Sequence, residues 1–299
     1  MAGALVALAI VAPARATAQI LNPLPGLLQP RGGQPAAPSG TAPPGSTPAS
    51  SPPAGQNLAV TTRVSPVAWI DDASVLPPTS VAASISTLRW QGSDVSQVGF
   101  PVASLAVGLA PRLQVSASVP RLMENRAAGG PGGLGTMFIS SKVSVLDTTR
   151  LGMAGVRFAV APTLEIVAPT ALASPPANTR HARWGLPLSL DIAGAPVHVF
   201  SSAGYFSGGA WFAGGGIYGH LLPRLGASAT FSHAWTTTAD PTLRVTRNEL
   251  SGGAAILLAP HVSVFGSVGR TIATTDADGA GVTVSAGLSF VRLGDFLRF

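Results

Sequence analysis

The stretch Val282-Thr-Val-Ser-Ala-Gly-Leu-Ser-Phe290 alternates strictly between apolar residues and small or polar ones. Successive side chains of an extended chain point to opposite faces, so this stretch predicts a strand with one apolar face and one face of Ser, Thr and Gly. The same period of two recurs in residues 113–119 and 225–232. Beyond about Leu76, the chain is therefore predicted to consist of half-buried strands.

The links between these strands alternate in length. Tight turns are predicted at residues 110–113, 147–150, 194–196, 222–225 and 259–261. Longer links are predicted at 92–97, 121–133, 169–183, 236–246 and 274–281, with one shorter link near 207–209. Short turns on one side and long loops on the other are typical of outer-membrane β-barrels, with the short turns in the periplasm. The turn at 147–150 would set Lys142 beside Gly155.

Counting the strands between these links gives twelve. They are predicted near residues 79–90, 97–110, 113–120, 135–147, 150–168, 184–193, 196–206, 210–221, 225–235, 246–258, 262–272 and 282–292. An even number is expected for a single-chain bacterial barrel, and closure leaves no unpaired strand edge in lipid. We predict an all-β fold: a transmembrane antiparallel up-and-down β-barrel of about 12 strands.

The composition fits a wall that faces lipid. The chain has 299 residues, of which 46% are hydrophobic and 10% are charged, and it contains no Cys. A soluble domain carries about 25% charged residues. The alternative folds, a secreted β-sandwich or a repeat adhesin, would place charges on their outer face. The missing Cys excludes a disulfide-stapled fold, and no apolar run reaches the ~18 residues of a spanning helix.

The N-terminal part divides into three segments. Residues 1–18 combine a short apolar run with the ending Ala16-Thr17-Ala18, the pattern of a cleavable signal peptide, with an amphipathic or core helix as the alternative. Residues 19–58 are rich in Pro, Gly, Ala and Ser and predict a disordered linker. Residues 59–78 are interpreted as a periplasmic segment that leads into the barrel, and residues 79–299 as the barrel itself.

Charged residues in mid-strand are the candidates for lining the lumen. Alternation turns four of them toward the polar face: Lys142, Arg157, Glu165 and Glu249. Arg or Lys on the lipid face at mid-depth costs about 2–4 kcal/mol, so an inward direction is expected. Two roles fit these residues. They either bias the passage of ions or solutes, or form structural ion pairs that brace the wall.

The formal net charge of +6 comes mainly from Arg. Six Arg are predicted on or beside the long links: Arg121, Arg126, Arg180, Arg183, Arg244 and Arg247. Guanidinium groups bind phosphate in a bidentate manner, so contact with lipopolysaccharide is one hypothesis, and snorkelling at the membrane interface is the other. Candidates for an aromatic girdle are Trp90, Trp184, Trp211, Trp235, Tyr205 and Tyr218. Nucleic-acid binding is not expected, because the Arg are scattered and only 6% of the residues are aromatic.

The candidate motifs for catalysis or cofactor binding lack the sequence context that such functions need. Residues 130–135 and 214–219 satisfy G-x-G-x-x-G, but neither opens a helix in a βαβ unit. The five His lack metal-ligand spacing, and neither H-E-x-x-H nor G-x-S-x-G occurs. His233 follows Ser232, but its phase faces lipid. We expect no enzyme, no cofactor and no metal, and an outer-membrane hydrolase ranks third among the functional interpretations.

The C-terminal stretch Leu293-Gly-Asp-Phe-Leu-Arg-Phe299 resembles the end of Gram-negative outer-membrane β-barrels. The resemblance implies that Phe299 and Leu297 form a signal that the barrel-assembly machinery reads. Asp295 departs from the alternating pattern of such ends.

Three further stretches, residues 71–79, 133–147 and 157–170, resemble the transporter family of phenol meta-cleavage-pathway outer-membrane proteins. This resemblance spans most of residues 70–299, although Pro169-Thr170-Ala171 departs from the usual Pro-Thr-Gly ending. It implies an uptake channel for small, apolar or aromatic, compounds.

The predicted location is thus the outer membrane of a Gram-negative bacterium, reached through a cleavable signal peptide. The predicted function is a porin-like channel for passive uptake of small solutes. The alternative is a structural or surface-interaction barrel with a closed lumen and loops that bind partners. The expected partners are outer-membrane lipid and lipopolysaccharide, the barrel-assembly machinery and a small-molecule solute.

Overall fold

The structure, a computed structural model, describes residues 70–92, 96–123, 132–148, 155–166, 182–193, 197–237, 244–275 and 280–292. The predicted signal peptide, the Pro-rich linker and the terminal Leu297 and Phe299 lie outside these ranges. Within the ranges, no helix is long and apolar enough to cross a membrane.

The described residues form fourteen strands. They are β1 (Val81–Gln91), β2 (Ser96–Ala110), β3 (Leu113–Leu122), β4 (Gly133–Leu134), β5 (Met137–Asp147), β6 (Gly155–Val160), β7 (Thr163–Ile166), β8 (Ala182–Ala193), β9 (Val197–Phe206), β10 (Ala210–Leu222), β11 (Leu225–Thr236), β12 (Thr246–Ala259), β13 (Val262–Thr274) and β14 (Val282–Arg292). β4 and β5 follow each other along one strand position of the barrel wall, and β6 and β7 along the next. We call each such position a stave. The fourteen strands therefore make twelve staves.

The wall closes on itself. Each stave pairs antiparallel with its neighbours in chain order, and β1 pairs along its whole length with β14, from Val81 opposite Arg292 to Gln91 opposite Val282. Because each of the twelve staves pairs with a stave on both sides, the described part of the wall leaves no open sheet edge to meet the membrane. The predicted all-β, antiparallel 12-strand barrel is confirmed.

The two faces of the wall differ as the alternation predicts. In β14, Val284 and Leu288 are exposed, whereas Ser285 and Ser289 are buried. The same alternation runs through β8, where exposed Leu188 flanks buried Ser189. The outer face is therefore a continuous apolar surface, which is the surface that lipid requires.

The fifth predicted strand, residues 150–168, is not continuous. It is split into β6 and β7 at Ala161-Pro162, because Pro has no N–H to donate to the ladder. The predicted placement of Lys142 beside Gly155 is wrong, since Asp147 pairs with Arg157.

Two features shift this register. A bulge lies between Ser144 and Leu146, and the link after Asp147 is longer than the predicted tight turn. On the other side of β5, Lys142 lies opposite Gln114 of β3.

A segment before β1 lies inside the barrel. The backbone N–H of Thr79 donates to the carbonyl of Gly108 at 2.8 Å, after which the chain enters the wall as β1 at Val81. Leu76 packs on the inner face against Ala82, Ala106 and Val291. We call residues 70–80 the luminal segment. Most of it falls within residues 59–78, which the sequence assigns to a periplasmic segment.

Candidate functional site

The inner face of the wall is lined largely by hydroxyl groups that bond to one another across neighbouring strands. These pairs join Ser104 to Ser118 at 3.1 Å, Ser116 to Ser140 at 2.7 Å, Thr230 to Ser251 at 2.6 Å, and Ser267 to Ser285 at 2.9 Å. Such pairs satisfy polar groups without long side chains. The wall therefore presents a polar lining of low bulk to the lumen.

Lys142 holds one end of the luminal segment. Its Nζ lies 2.6 Å from Oδ2 of Asp71 and donates to the carbonyl oxygens of Asp72 at 3.0 Å and Ser74 at 3.2 Å. Both Lys142 and Asp71 are buried. An ammonium carries three donors, so three acceptors on one segment use its full capacity.

Ile70 holds the segment on another side of the lumen. It packs in an apolar cluster on the inner faces of β9, β10 and β11, with Phe200, Phe206, Ala210, Phe212 and Ala234, and Tyr218 packs against this cluster. Lys142 belongs to the fourth stave and β10 is the eighth. The luminal segment therefore crosses the lumen rather than following one wall.

Glycines in the wall make room for this crossing. A Cβ placed on Gly108 would overlap the backbone carbonyl of Pro77, and one on Gly214 would overlap the side chain of Ile70. The backbone N–H of Leu76 also donates to Oε1 of Gln114 at 2.9 Å. Wall and segment are thus shaped to each other along the segment's length.

Two cross-strand ion pairs stand on the inner face beside the segment. Arg157 of β6 lies opposite Asp191 of β8, with their charged atoms 2.7 Å apart. Glu165 of β7 lies opposite Arg183 of β8, and the two form a hydrogen-bonded ion pair. Charge-assisted hydrogen bonds are the strong ones in a buried setting, so both pairs tie neighbouring staves together.

A further charged group lies on the inner face of β12. Arg247 donates to Oε1 of Glu249 and to Oγ1 of Thr271, each at 3.0 Å. Its guanidinium carbon lies 5.8 Å from the ring centroid of Trp90, a cation–π distance. Trp90 is therefore an inner residue rather than part of an outer girdle.

The four candidate lumen residues do not meet in one cluster. Each is buried with its own partner: Lys142 with Asp71, Arg157 with Asp191, Glu165 with Arg183, and Glu249 with Arg247. Sequence reasoning did not identify Asp71 and Asp191, and it placed Arg183 and Arg247 on or beside the long links rather than in ion pairs with Glu165 and Glu249. The alternation of the strand at 184–193 already turns Asp191 inward, whereas Asp71 carries no such signal because its position depends on where the luminal segment folds.

The outer face carries an aromatic sector at the end where the long links lie. Ring contacts run from Trp184 of β8 through Tyr205 and Trp211 to Trp235 of β11, with centroid distances of 5.6, 4.8 and 6.5 Å. Amphipathic rings at this level mark the membrane interface. Two predicted girdle residues differ: Trp90 and Tyr218 face inward.

His233 faces outward beside this sector. Its ring stacks on Trp235 at 4.9 Å, and its Nδ1 lies 2.7 Å from Oδ1 of Asn248. Ser232, its sequence neighbour, is buried on the opposite face. The two residues therefore do not form a hydrolase pair.

Several solved structures have a fold similar to that of this chain. The NanC porin matches at a TM-score of 0.51 and 8% identity, covering 70% of this chain and 98% of that one. An outer-membrane channel from Pseudomonas putida F1 matches at 0.50 and 15%, covering 74% and 98%. A phospholipase A from Escherichia coli matches at only 0.45.

No family model matches the chain, and no curated protein matches it. The similarity to solved structures therefore shows the fold alone, and that fold is the outer-membrane β-barrel of porins and channels.

Proposed function

We propose that the protein is an outer-membrane channel for passive passage of small solutes, with a lumen narrowed by the luminal segment. The observation that carries the proposal is a closed wall with an apolar outer face and an inner face of hydroxyls and ion pairs. Polar groups dominate this inner face outside the two apolar clusters that contact the luminal segment, and such a lining suits water and solute. The fold shared with a porin and an outer-membrane channel supports this role.

The luminal segment argues for small solutes. It is held by Lys142 on one side and by the cluster around Ile70 on another, so a solute must pass beside it or displace it. Selectivity in a pore follows its diameter and its lining groups. We therefore expect low conductance compared with an unobstructed barrel of the same strand number.

Apolar or aromatic solutes are the proposed class. Three Phe side chains on the inner faces of β9 and β10, Phe200, Phe206 and Phe212, are buried in the cluster around Ile70, so they would contact an apolar solute where the luminal segment moves aside. The family resemblance of residues 71–79, 133–147 and 157–170 supports the same class.

A structural barrel with a closed lumen is the second candidate, and the crossing by the luminal segment is the observation that favours it. Single-channel recording and liposome swelling of the full chain separate the two. We expect small conductance steps, and faster swelling in a small aromatic alcohol than in a disaccharide. Absence of both conductance and swelling, in preparations that show heat-modifiable gel migration, would overturn the channel and leave the closed barrel.

A further inference from the structure

Three Arg side chains face outward at the long-link end of the barrel: Arg89 of β1, Arg121 of β3 and Arg270 of β13. Each is exposed, and each lies between strand neighbours that are buried on the inner face. We call these three residues the arginine rim.

The strand register brings the arginine rim into one sector of the outer face. Gln91 lies opposite Val282, and Val282 lies opposite Arg270, so β1 and β13 are separated by one strand. On the other side, Leu88, beside Arg89, aligns through Gly99 with Leu122, which follows Arg121. Neighbouring members thus stand two strand spacings apart, about 10 Å sideways.

The surroundings of these guanidinium groups are apolar. On its own strand, Arg270 lies between Val268 and Ile272, which are 56% and 55% exposed on the same face. Ile272 is nearer to the long-link end, so Arg270 does not stand above the apolar surface but within it. A cation in such a position is costly unless an anion accompanies it.

Acidic side chains in the described part of the chain do not supply that anion. They lie on the luminal segment, on the inner face or at the short-turn end: Asp71, Asp72, Asp147, Glu165, Asp191 and Glu249. The hydrogen bond of Arg89 runs to the neutral Oε1 of Gln91 at 3.0 Å. Among the described residues, no acidic side chain therefore accompanies the rim, and phosphate groups of the surrounding membrane are anions that side chains on the outer face can reach.

The aromatic sector lies elsewhere on the wall. The outward Trp and Tyr of the described residues belong to β8–β11, whereas the arginine rim belongs to β13, β1 and β3. Aromatic rings suit any headgroup region, but guanidinium groups select phosphate and bind it in a bidentate manner. The two sectors therefore meet the outer leaflet with different chemistry.

We propose that the arginine rim binds the phosphate groups of a lipopolysaccharide molecule of the outer leaflet. Long links mark the extracellular end of outer-membrane barrels, so the rim lies at the level of that leaflet. A glycolipid that carries more than one phosphate matches several Arg whose strands are about 10 Å apart better than a single phosphodiester does. The proposal does not depend on solute passage.

Native mass spectrometry of the full chain in detergent micelles tests this, with bis-phosphorylated lipid A as the probe. The variant R89Q/R121Q/R270Q is expected to bind lipid A about tenfold more weakly than the wild type. The matched control, R112Q/R224Q, removes two exposed Arg from the short turns and is expected to bind as the wild type does. Heat-modifiable gel migration shows that each variant is folded.

Two measurements on the wild type need no variant. Lipid A stripped of its phosphates is expected to bind about tenfold more weakly, and phosphatidylglycerol likewise. Equal binding of dephosphorylated lipid A overturns phosphate recognition. Equal binding of phosphatidylglycerol overturns lipopolysaccharide as the ligand, and unchanged lipid A affinity in the folded triple variant overturns the rim as the site.

Discussion

At the scale of single residues, charge inside this barrel comes in pairs. Arg157 with Asp191 and Arg183 with Glu165 each join directly opposite positions on neighbouring strands. A buried pair gains less than its Coulomb energy because both ions lose water, but removing one partner leaves a buried charge without compensation. The pairs are therefore expected to affect the stability of the barrel most when one of the two partners is removed.

Arg157→Ala is expected to destabilise the barrel by about 3–5 kcal/mol, because it leaves Asp191 charged and buried. The double variant R157M/D191L removes both charges and is expected to stay within about 1–2 kcal/mol of the wild type. Urea titration in detergent, followed by heat-modifiable migration, measures both. Arg112→Ala, in an exposed turn, serves as the control and should change stability by less than about 0.5 kcal/mol. Equal stability of R157A and the wild type would contradict the argument.

Lys142→Glu tests whether a luminal charge acts on passing ions. We expect the reversal potential in a planar bilayer under a salt gradient to shift toward cation selectivity, since the substitution reverses a charge at the lining. Lys142→Met is the matched variant, because it also releases Asp71 but adds no negative charge. If the two variants give the same reversal potential, Lys142 acts only by holding the luminal segment.

Alternation alone turns Lys142 and Arg157 toward the polar face, because a period of two ties the direction of a side chain to its neighbours. The partners could not be found in the same way. Pairing of Arg157 with Asp191 needs the register of β6 against β8, which the alternation within each strand does not determine. Pairing of Lys142 with Asp71 needs the position of a segment that has no periodicity.

At the scale of elements, the luminal segment and the wall depend on each other at Gly108. This residue pairs with Thr79 and Ser80 through its backbone, and its missing side chain leaves room for the carbonyl of Pro77. Gly is found where two stretches of backbone approach closely, because it has no side chain to keep them apart. A single methyl group at this position is therefore enough to disturb the crossing.

Gly108→Ala is expected to move the luminal segment away from β2 and to raise single-channel conductance, while heat-modifiable migration persists. The matched variant is Gly252→Ala, since Gly252 faces outward and a Cβ there meets only the carbonyl oxygen of Ser228 at 3.7 Å. That variant should conduct as the wild type does. Unchanged conductance in folded G108A would show that the segment does not limit passage.

The strands themselves were predictable because each one carries its own alternation and is bounded by turn residues. Most predicted bounds agree with the structure to within two residues, as in 113–120 against Leu113–Leu122. The predicted bounds differ for the strand that contains Pro162. The apolar residues around Pro162 have the pattern of one continuous strand, although Pro lacks the N–H that the ladder needs there.

At the scale of the whole molecule, the barrel is the reverse of a soluble protein: its outer face is largely apolar, and its inner face holds the buried ion pairs. Exposed large apolar residues occur on the outer face of every stave of the described wall except β3, where Val115 and Val119 are half-buried. The composition that looks unusual for a soluble domain therefore reflects a surface that meets lipid.

Leu288→Arg, near the middle of β14 on the outer face, is expected to cost about 2–4 kcal/mol in lipid vesicles. Leu288→Ala controls for the lost side chain and should cost less, because no charge enters the lipid. Urea-dependent Trp fluorescence in vesicles gives both values. A cost for L288R no larger than that for L288A would argue against lipid on this face.

The position of the luminal segment also bears on how the protein assembles. The segment continues directly into β1, and β1 is one side of the seam that closes the wall against β14. If the wall closed first, residues 70–80 would have to enter a finished ring, and protein chains avoid threading. Pairing of β1 with β14 around a segment already in place needs no such step, so we expect closure of the wall and enclosure of the segment to be the same event.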